Sequence, residues 1–102
     1  MTPTQRSLAY LREEGYTVAI VERWNPHARI RQDLFGFIDL LAIRKGETLA
    51  VQVTSTGVSS RIKKIMESEL LPKVREANVR IVVHGWTKQA NGRYVLRVED
   101  IS

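Results

Sequence analysis

The sequence contains no cysteine, which excludes disulfide scaffolds, thiolate-zinc sites and cysteine nucleophiles together and fits a reducing compartment. No apolar run approaches the roughly 20 residues needed to cross a bilayer, and the opening Met1-Thr2-Pro3-Thr4-Gln5 has no signal-peptide pattern. A soluble, cytoplasmic protein without a membrane partner is therefore expected. Repeats, low-complexity tracts and linkers are also missing, so the chain reads as one unit. Acidic residues are in the minority: 11 Asp and Glu stand against 16 Lys and Arg, a formal charge of +5. That excess favours a polyanionic partner, nucleic acid first, although a basic surface with no such partner has the same composition.

With 102 residues, 43% of them hydrophobic, the chain suits a single domain over residues 1–102 of the α/β or α+β type. A core this small is only marginally stable, and pairing of two copies into a homodimer is expected to help it.

Thr2, Pro3 and Gln5 form a capping-box start, and Leu8, Leu11 and the stop at Gly15 predict a helix over residues 3–14. Residues 16–24, rich in β-branched and aromatic side chains, read as a strand, and the polar stretch 25–32 as a loop. Residues 37–43 form a nearly continuous apolar run, the pattern of a strand covered on both faces. After the turn Arg44-Lys45-Gly46-Glu47, residues 48–54 pair back as a hairpin, with Leu49, Val51 and Val53 on one face and Ala50, Gln52 and Thr54 on the other. Ser59 or Ser60 is placed to cap a helix whose buried stripe is Ile62, Ile65, Met66 and Leu70, and Pro72 to restart it. Residues 79–84 and 94–98 read as two further strands. The order is α-β-β-β-α-β-β, a mixed sheet flanked by helices.

Asp39 interrupts the apolar run. A buried carboxylate is costly unless it is paired or bound to a cation, so Asp39 is either a metal ligand or a residue that caps a turn or meets an arginine. The hairpin brings Gln52 beside it, and a carboxylate with amide and carbonyl oxygens is a hard donor set suited to Mg2+ or Mn2+. Asp33, ahead of a Gly-containing bend, is either a turn residue or a further ligand. Arg29 and Arg31 in the polar stretch, and Arg61, Lys63 and Lys64 on the helix after residue 54, are either solvated charges or phosphate contacts. His84 with Gly85-Trp86 reads as packing and turn formation. Trp24 and Trp86 suit a core or dimer contact, with base stacking as the alternative.

Asp39, followed at hairpin distance by Gln52-Val53-Thr54, resembles the signature of the PD-(D/E)XK nuclease superfamily, and the element order resembles its restriction-endonuclease-like core over nearly the whole chain. Within it the short chain is most similar to the archaeal-type and phage Holliday junction resolvases and to the virus-type nucleases. The resemblance implies a metal-dependent endonuclease, with Asp39 holding the metal, Gln52 in the second ligand position and the Val53 carbonyl completing the set. It also implies DNA, as a four-way junction, for a partner, and extends to phage-borne proteins. Three positions depart from the pattern: Ile38 stands for proline, Gln52 for an acid and Thr54 for the catalytic lysine. Asp33 is the candidate to restore the missing charge and Lys63 to restore the ammonium, with Arg61 and Lys64 next in line. The first helix lacks the glutamate that supports the metal in resolvase-like members, and Glu22 is the nearby acid that can approach. Two other classes remain beside the nuclease: a catalytically silent nucleic-acid-binding module on the same fold, and a basic interaction domain that binds no nucleic acid.

Overall fold

The computed structural model describes residues 1–102, and the chain enters helix α1 (Pro3–Glu13) through a reciprocal cap. The Thr2 hydroxyl accepts the Gln5 N–H (3.1 Å) while Gln5 Oε1 accepts the Thr2 N–H (2.9 Å), so two amides that the helix leaves orphaned are satisfied. Ser7 and Leu11, one turn apart, are the buried face of this helix.

The remaining elements are β1 (Thr17–Ile20), β2 (Arg23–Asn25), β3 (Ile30–Gln32), β4 (Leu40–Arg44), β5 (Glu47–Thr54), α2 (Val58–Met66), α3 (Leu71–Glu76), β6 (Arg80–Lys88) and β7 (Tyr94–Asp100). Five strands form one sheet in the order β1-β4-β5-β6-β7. Only β5 and β6 run parallel, because α2 and α3 lie between them and a parallel pair needs such a crossover. The fold is therefore α+β, a mixed sheet with helices packed on it, as the sequence predicts. No helix is long and apolar enough to cross a membrane.

β5 organises the core. Leu49, Val51 and Val53 pack with Leu11 of α1 on one face, whereas Ala50 packs with Ile65, Leu71 and Val74 of α2 and α3 on the other. This is the period-two alternation read from the sequence. At 0% exposure Ala50 and Val51 are sealed on opposite sides of the same strand, so polar side chains can enter β5 only if they are held by partners.

Four local expectations are corrected. The single strand over residues 16–24 is broken after Ile20, and residues 25–32 are not a loop: β2 and β3 pair as a separate two-stranded ribbon. An Asx turn closes it, with Asn25 Oδ1 accepting the N–H groups of His27 (3.0 Å) and Ala28 (3.2 Å) and Arg29 at φ 55°. Because the ribbon is exposed, it lacks the buried alternation by which strands are recognised. Helix α2 is capped by the backbone of Gly57 rather than by Ser59 or Ser60, and the Ser60 hydroxyl donates back to the Gly57 carbonyl (2.9 Å). Met66 and Leu70, expected in its buried stripe, are 49% and 44% exposed, since α2 ends at Met66 and the chain turns away. Finally, His84-Gly85-Trp86 is not a strand end: β6 runs through it to Lys88, paired with Leu96, Arg97 and Val98 of β7.

Gly85 marks where α2 closes on β6. A Cβ placed there meets Val58 Cγ2 at 2.4 Å, and a β-branched valine has little rotamer freedom to withdraw. Gly85→Ala is expected to destabilise the protein by about 1–3 kcal/mol in urea denaturation. A second change, Val58→Ala, recovers part of that loss if the contact is the cause.

Candidate metal centre

Asp39 sits immediately before β4 and is 4% exposed. Its Oδ2 accepts two hydrogen bonds from β5, from the Val53 N–H (2.8 Å) and from Gln52 Nε2 (2.6 Å). Its own N–H donates to the Val51 carbonyl and its carbonyl accepts the Val21 N–H, each at 2.9 Å. The side chain is thus held from β5, and the backbone from β5 on one side and from Val21, just after β1, on the other.

Two more carboxylates reach the same place, and one oxygen each from Glu22, Asp33 and Asp39 lie within 4.8 Å of one another. Strand pairing explains the convergence. β1 pairs with β4 so that Ile20 faces Leu40, and one step further sets Val21 beside Asp39. In the ribbon Arg23 faces Gln32, so one step back sets Glu22 opposite Asp33. The ribbon leaves the sheet and returns to it at the level of Asp39, carrying an acid at each of its feet.

Like charges this close oppose ionisation, and burial does so more strongly. Burial first, then the hydrogen bond and charge of Asp33, push the Asp39 carboxyl up to about 8 against the pull of the Val53 N–H. A divalent cation would reverse that balance by giving the carboxylates a common counter-charge. Three hard oxygen donors with no nitrogen or sulfur among them fit Mg2+ or Mn2+.

Beside the triad opens a cleft of about 790 Å³, lined by Glu22 and Asp33 together with Arg23, Arg31 and Lys64. Arg31 ion-pairs with Glu22 (3.2 Å). The sequence-derived candidates therefore separate. Asp33 and Glu22 join Asp39, and Arg31 and Lys64 line the cleft, whereas Lys63 and Arg61 do not. Arg29 lies at the exposed turn of the ribbon. Gln52 and Val53, expected as ligands through oxygen, touch Asp39 through N–H groups, so in this geometry they position the carboxylate. Thr54 accepts the Thr56 N–H (3.2 Å) and donates to the Thr56 carbonyl. The residue that sequence reasoning missed is Arg23, whose signal was its place opposite Gln32 beside the acidic foot of the ribbon.

A second polar cluster lies on the other side of the sheet. Trp86 Nε1 donates to Ser7 Oγ (2.8 Å), and the Ser7 hydroxyl is hydrogen-bonded to His84 Nδ1 (2.9 Å). Burial pushes His84 down to about 4. With Ser7 at 0% and His84 at 1% exposure the pair is a sealed structural link between α1 and β6, in keeping with the packing role expected of His84.

The fold and the site together define a mixed α+β protein with a buried aspartate, an acidic triad and, beside it, a cleft that carries Arg23, Arg31 and Lys64. The chain matches no protein-family model and no curated protein.

Proposed function

We propose that the protein is a divalent-metal-dependent endonuclease of the PD-(D/E)XK type that hydrolyses DNA phosphodiester bonds. Its preferred substrate is a branched molecule such as a four-way junction, and it acts in the cytoplasm as a homodimer. The observation that carries this reading is the meeting of Glu22, Asp33 and Asp39 beside a cleft that Glu22 and Asp33 line together with Arg23, Arg31 and Lys64. Acids to hold a cation with basic side chains beside them is the arrangement that a phosphate bridged to that cation requires.

Glu22, Asp33 and Asp39 would hold Mg2+ or Mn2+, which supplies Lewis-acid polarisation of a phosphoryl oxygen and a more acidic bound water. Gln52 and Val53 keep Asp39 aimed, and the cleft cations hold the phosphate and offset charge as it develops. Lys64 takes the part of the ammonium missing at Thr54. Lys64→Ala is accordingly expected to slow cleavage by about 10-fold or more, and Lys63→Ala by much less, in single-turnover assays on the same DNA. Equal effects would remove Lys64 from that role.

A catalytically silent nucleic-acid-binding module is the second reading, favoured by Thr54, whose hydroxyl is occupied by Thr56 and leaves β5 without a lysine. The two are separated by incubating labelled four-way junction, linear duplex and single strand with Mg2+, with Mn2+ and with chelator. Paired nicks on the junction that need metal support the resolvase, cleavage of every substrate supports a less selective nuclease, and tight binding without any cut supports the silent module.

A further inference from the structure

The β2–β3 ribbon has no core of its own, and a two-stranded ribbon alone is marginal in water. Residues 23–32 hold three arginines and one histidine and no acid. Trp24 is 57% exposed and Ile30 51% exposed. Trp24 faces Arg31 across the ribbon, whereas Ile30 faces Asn25, so by strand alternation the two apolar side chains lie on opposite faces. Trp24 and Ile30 therefore form no shared apolar patch on the ribbon. On the face of Trp24 the indole stands across from the Arg31 guanidinium, the combination on which an unstacked base and its phosphate rest.

We infer that this ribbon is an arm that takes hold of unpaired nucleotides and leads their strand into the cleft. Stacking on Trp24 needs a free base face, which a continuous duplex keeps covered by its own neighbours. The foot of the ribbon is also the wall of the cleft, because Arg23, Arg31 and Gln32 line it beside Glu22 and Asp33. A strand stacked on Trp24 is therefore held next to the carboxylates. The arm deepens the proposed function by naming single-stranded nucleic acid, at a junction or a free end, as what the site accepts. It rests on the nucleic-acid part of that reading and not on hydrolysis.

The test uses the full chain in chelator, where nothing is cut. In Trp86→Phe, Trp24 is the sole tryptophan; titration with a dT oligonucleotide, a U oligonucleotide and a blunt duplex of the same length is expected to quench it with the single strands only. The DNA and RNA arms show which sugar is preferred. In the native background, Trp24→Ala is expected to weaken binding of a labelled dT oligonucleotide by about 5- to 100-fold, and Trp24→Phe by less. Unchanged fluorescence, equal binding of the duplex, or native affinity in Trp24→Ala would overturn the arm. Cleavage with an inert Trp24 would leave the nuclease standing without it, and quenching without cleavage would leave the arm standing without the nuclease.

The far edge of the sheet carries a second, independent inference. The Ile101 N–H donates to the Ile81 carbonyl (2.8 Å) and the Gln89 N–H to the Arg93 carbonyl (2.6 Å), so odd-numbered residues of β7 turn their backbone toward β6. Those of Tyr94, Leu96, Val98 and Asp100 face outward, as an unpaired edge does. We infer that two copies join by antiparallel pairing of β7 about a two-fold axis at Val98, continuing one sheet through both and leaving both clefts free. In that register Arg97 of each copy faces Glu99 of the other, and Val98, 45% exposed, meets its own copy. Shifting to the next permitted register on either side sets Arg97 against Arg97 or Glu99 against Glu99. This names the interface of the proposed homodimer, and its test is independent of cleavage. Light scattering coupled to gel filtration is expected to give a dimer for the native chain and monomers for Arg97→Glu and for Glu99→Arg. Mixing the two variants, or combining both changes in one chain, restores the dimer because every facing pair is again opposite in charge. A monomeric native chain, or dimers in both single variants, would overturn it.

Discussion

Asp39→Asn is expected to lower metal-dependent DNA cleavage on the order of 100-fold or more, with the fold and most of the DNA affinity intact. Asparagine keeps an oxygen for the Val53 N–H and Gln52 Nε2 but removes the charge that a cation needs. The basic side chains that line the cleft are untouched, so phosphate binding persists. Burial and Asp33 already hold the native carboxyl up to about 8, so the metal-free variant should be no less stable than the native chain near neutral pH. Single-turnover cleavage, binding in chelator and thermal unfolding with and without Mg2+ separate these effects. Native activity in the variant would remove Asp39 from the reaction. A stabilisation by Mg2+ that survives the change would remove it from the metal site.

Two buried groups are expected to give stability opposite dependences on pH in the absence of metal. The folded-state carboxyl of Asp39 is raised from 3.8 to about 8, so its contribution is fully present below about 4 and is lost as pH rises through about 8. His84 is lowered from 6.5 to about 4 by burial. Its contribution is present above about 6.5 and is lost as pH falls through about 4, amounting to roughly 3 kcal/mol at most. Urea denaturation in chelator at several pH values, on the native chain, Asp39→Asn and His84→Gln, resolves the two. Relative to Asp39→Asn, the native chain should lose stability between pH 4 and 8, and Mg2+ should restore it because a cation selects the ionised carboxylate. Relative to His84→Gln, the native chain should lose stability as pH falls from about 6.5 to 4. Parallel curves for all three proteins would show that neither group is held as described.

Much of the site was legible residue by residue. Asp39 stood out because an acid within an apolar run must have a partner, and Gln52 followed from hairpin spacing, since a short turn fixes which residues face each other. Asp33 was named and Glu22 was recognised only as near. Their meeting escaped because it depends on a ribbon that buries nothing, and hydrophobic periodicity detects burial rather than backbone pairing. The signal was present in Glu22 and Asp33, equally spaced about the turn at residues 26–29. The choice between Lys63 and Lys64 was beyond reach for another reason. Successive helical residues point about 100° apart, so which one enters a cleft depends on how α2 is rotated on the sheet, and that is set by Ile65 seated in the core.

The sequence by itself determined the α+β class, the capped first helix, the two faces of β5, the helical crossover to β6 and the basic balance of charge. These follow from local propensity, side-chain period and composition, which need no knowledge of distant contacts. Only the tertiary structure decided that Glu22, Asp33 and Asp39 share one point, that Lys64 and Arg23 border it, and that Trp24 stands free while His84 is sealed. Those facts depend on pairing between β1, β4 and the ribbon and on the packing of α1 and α2, where residues far apart in the chain are brought together by surfaces that no local pattern describes.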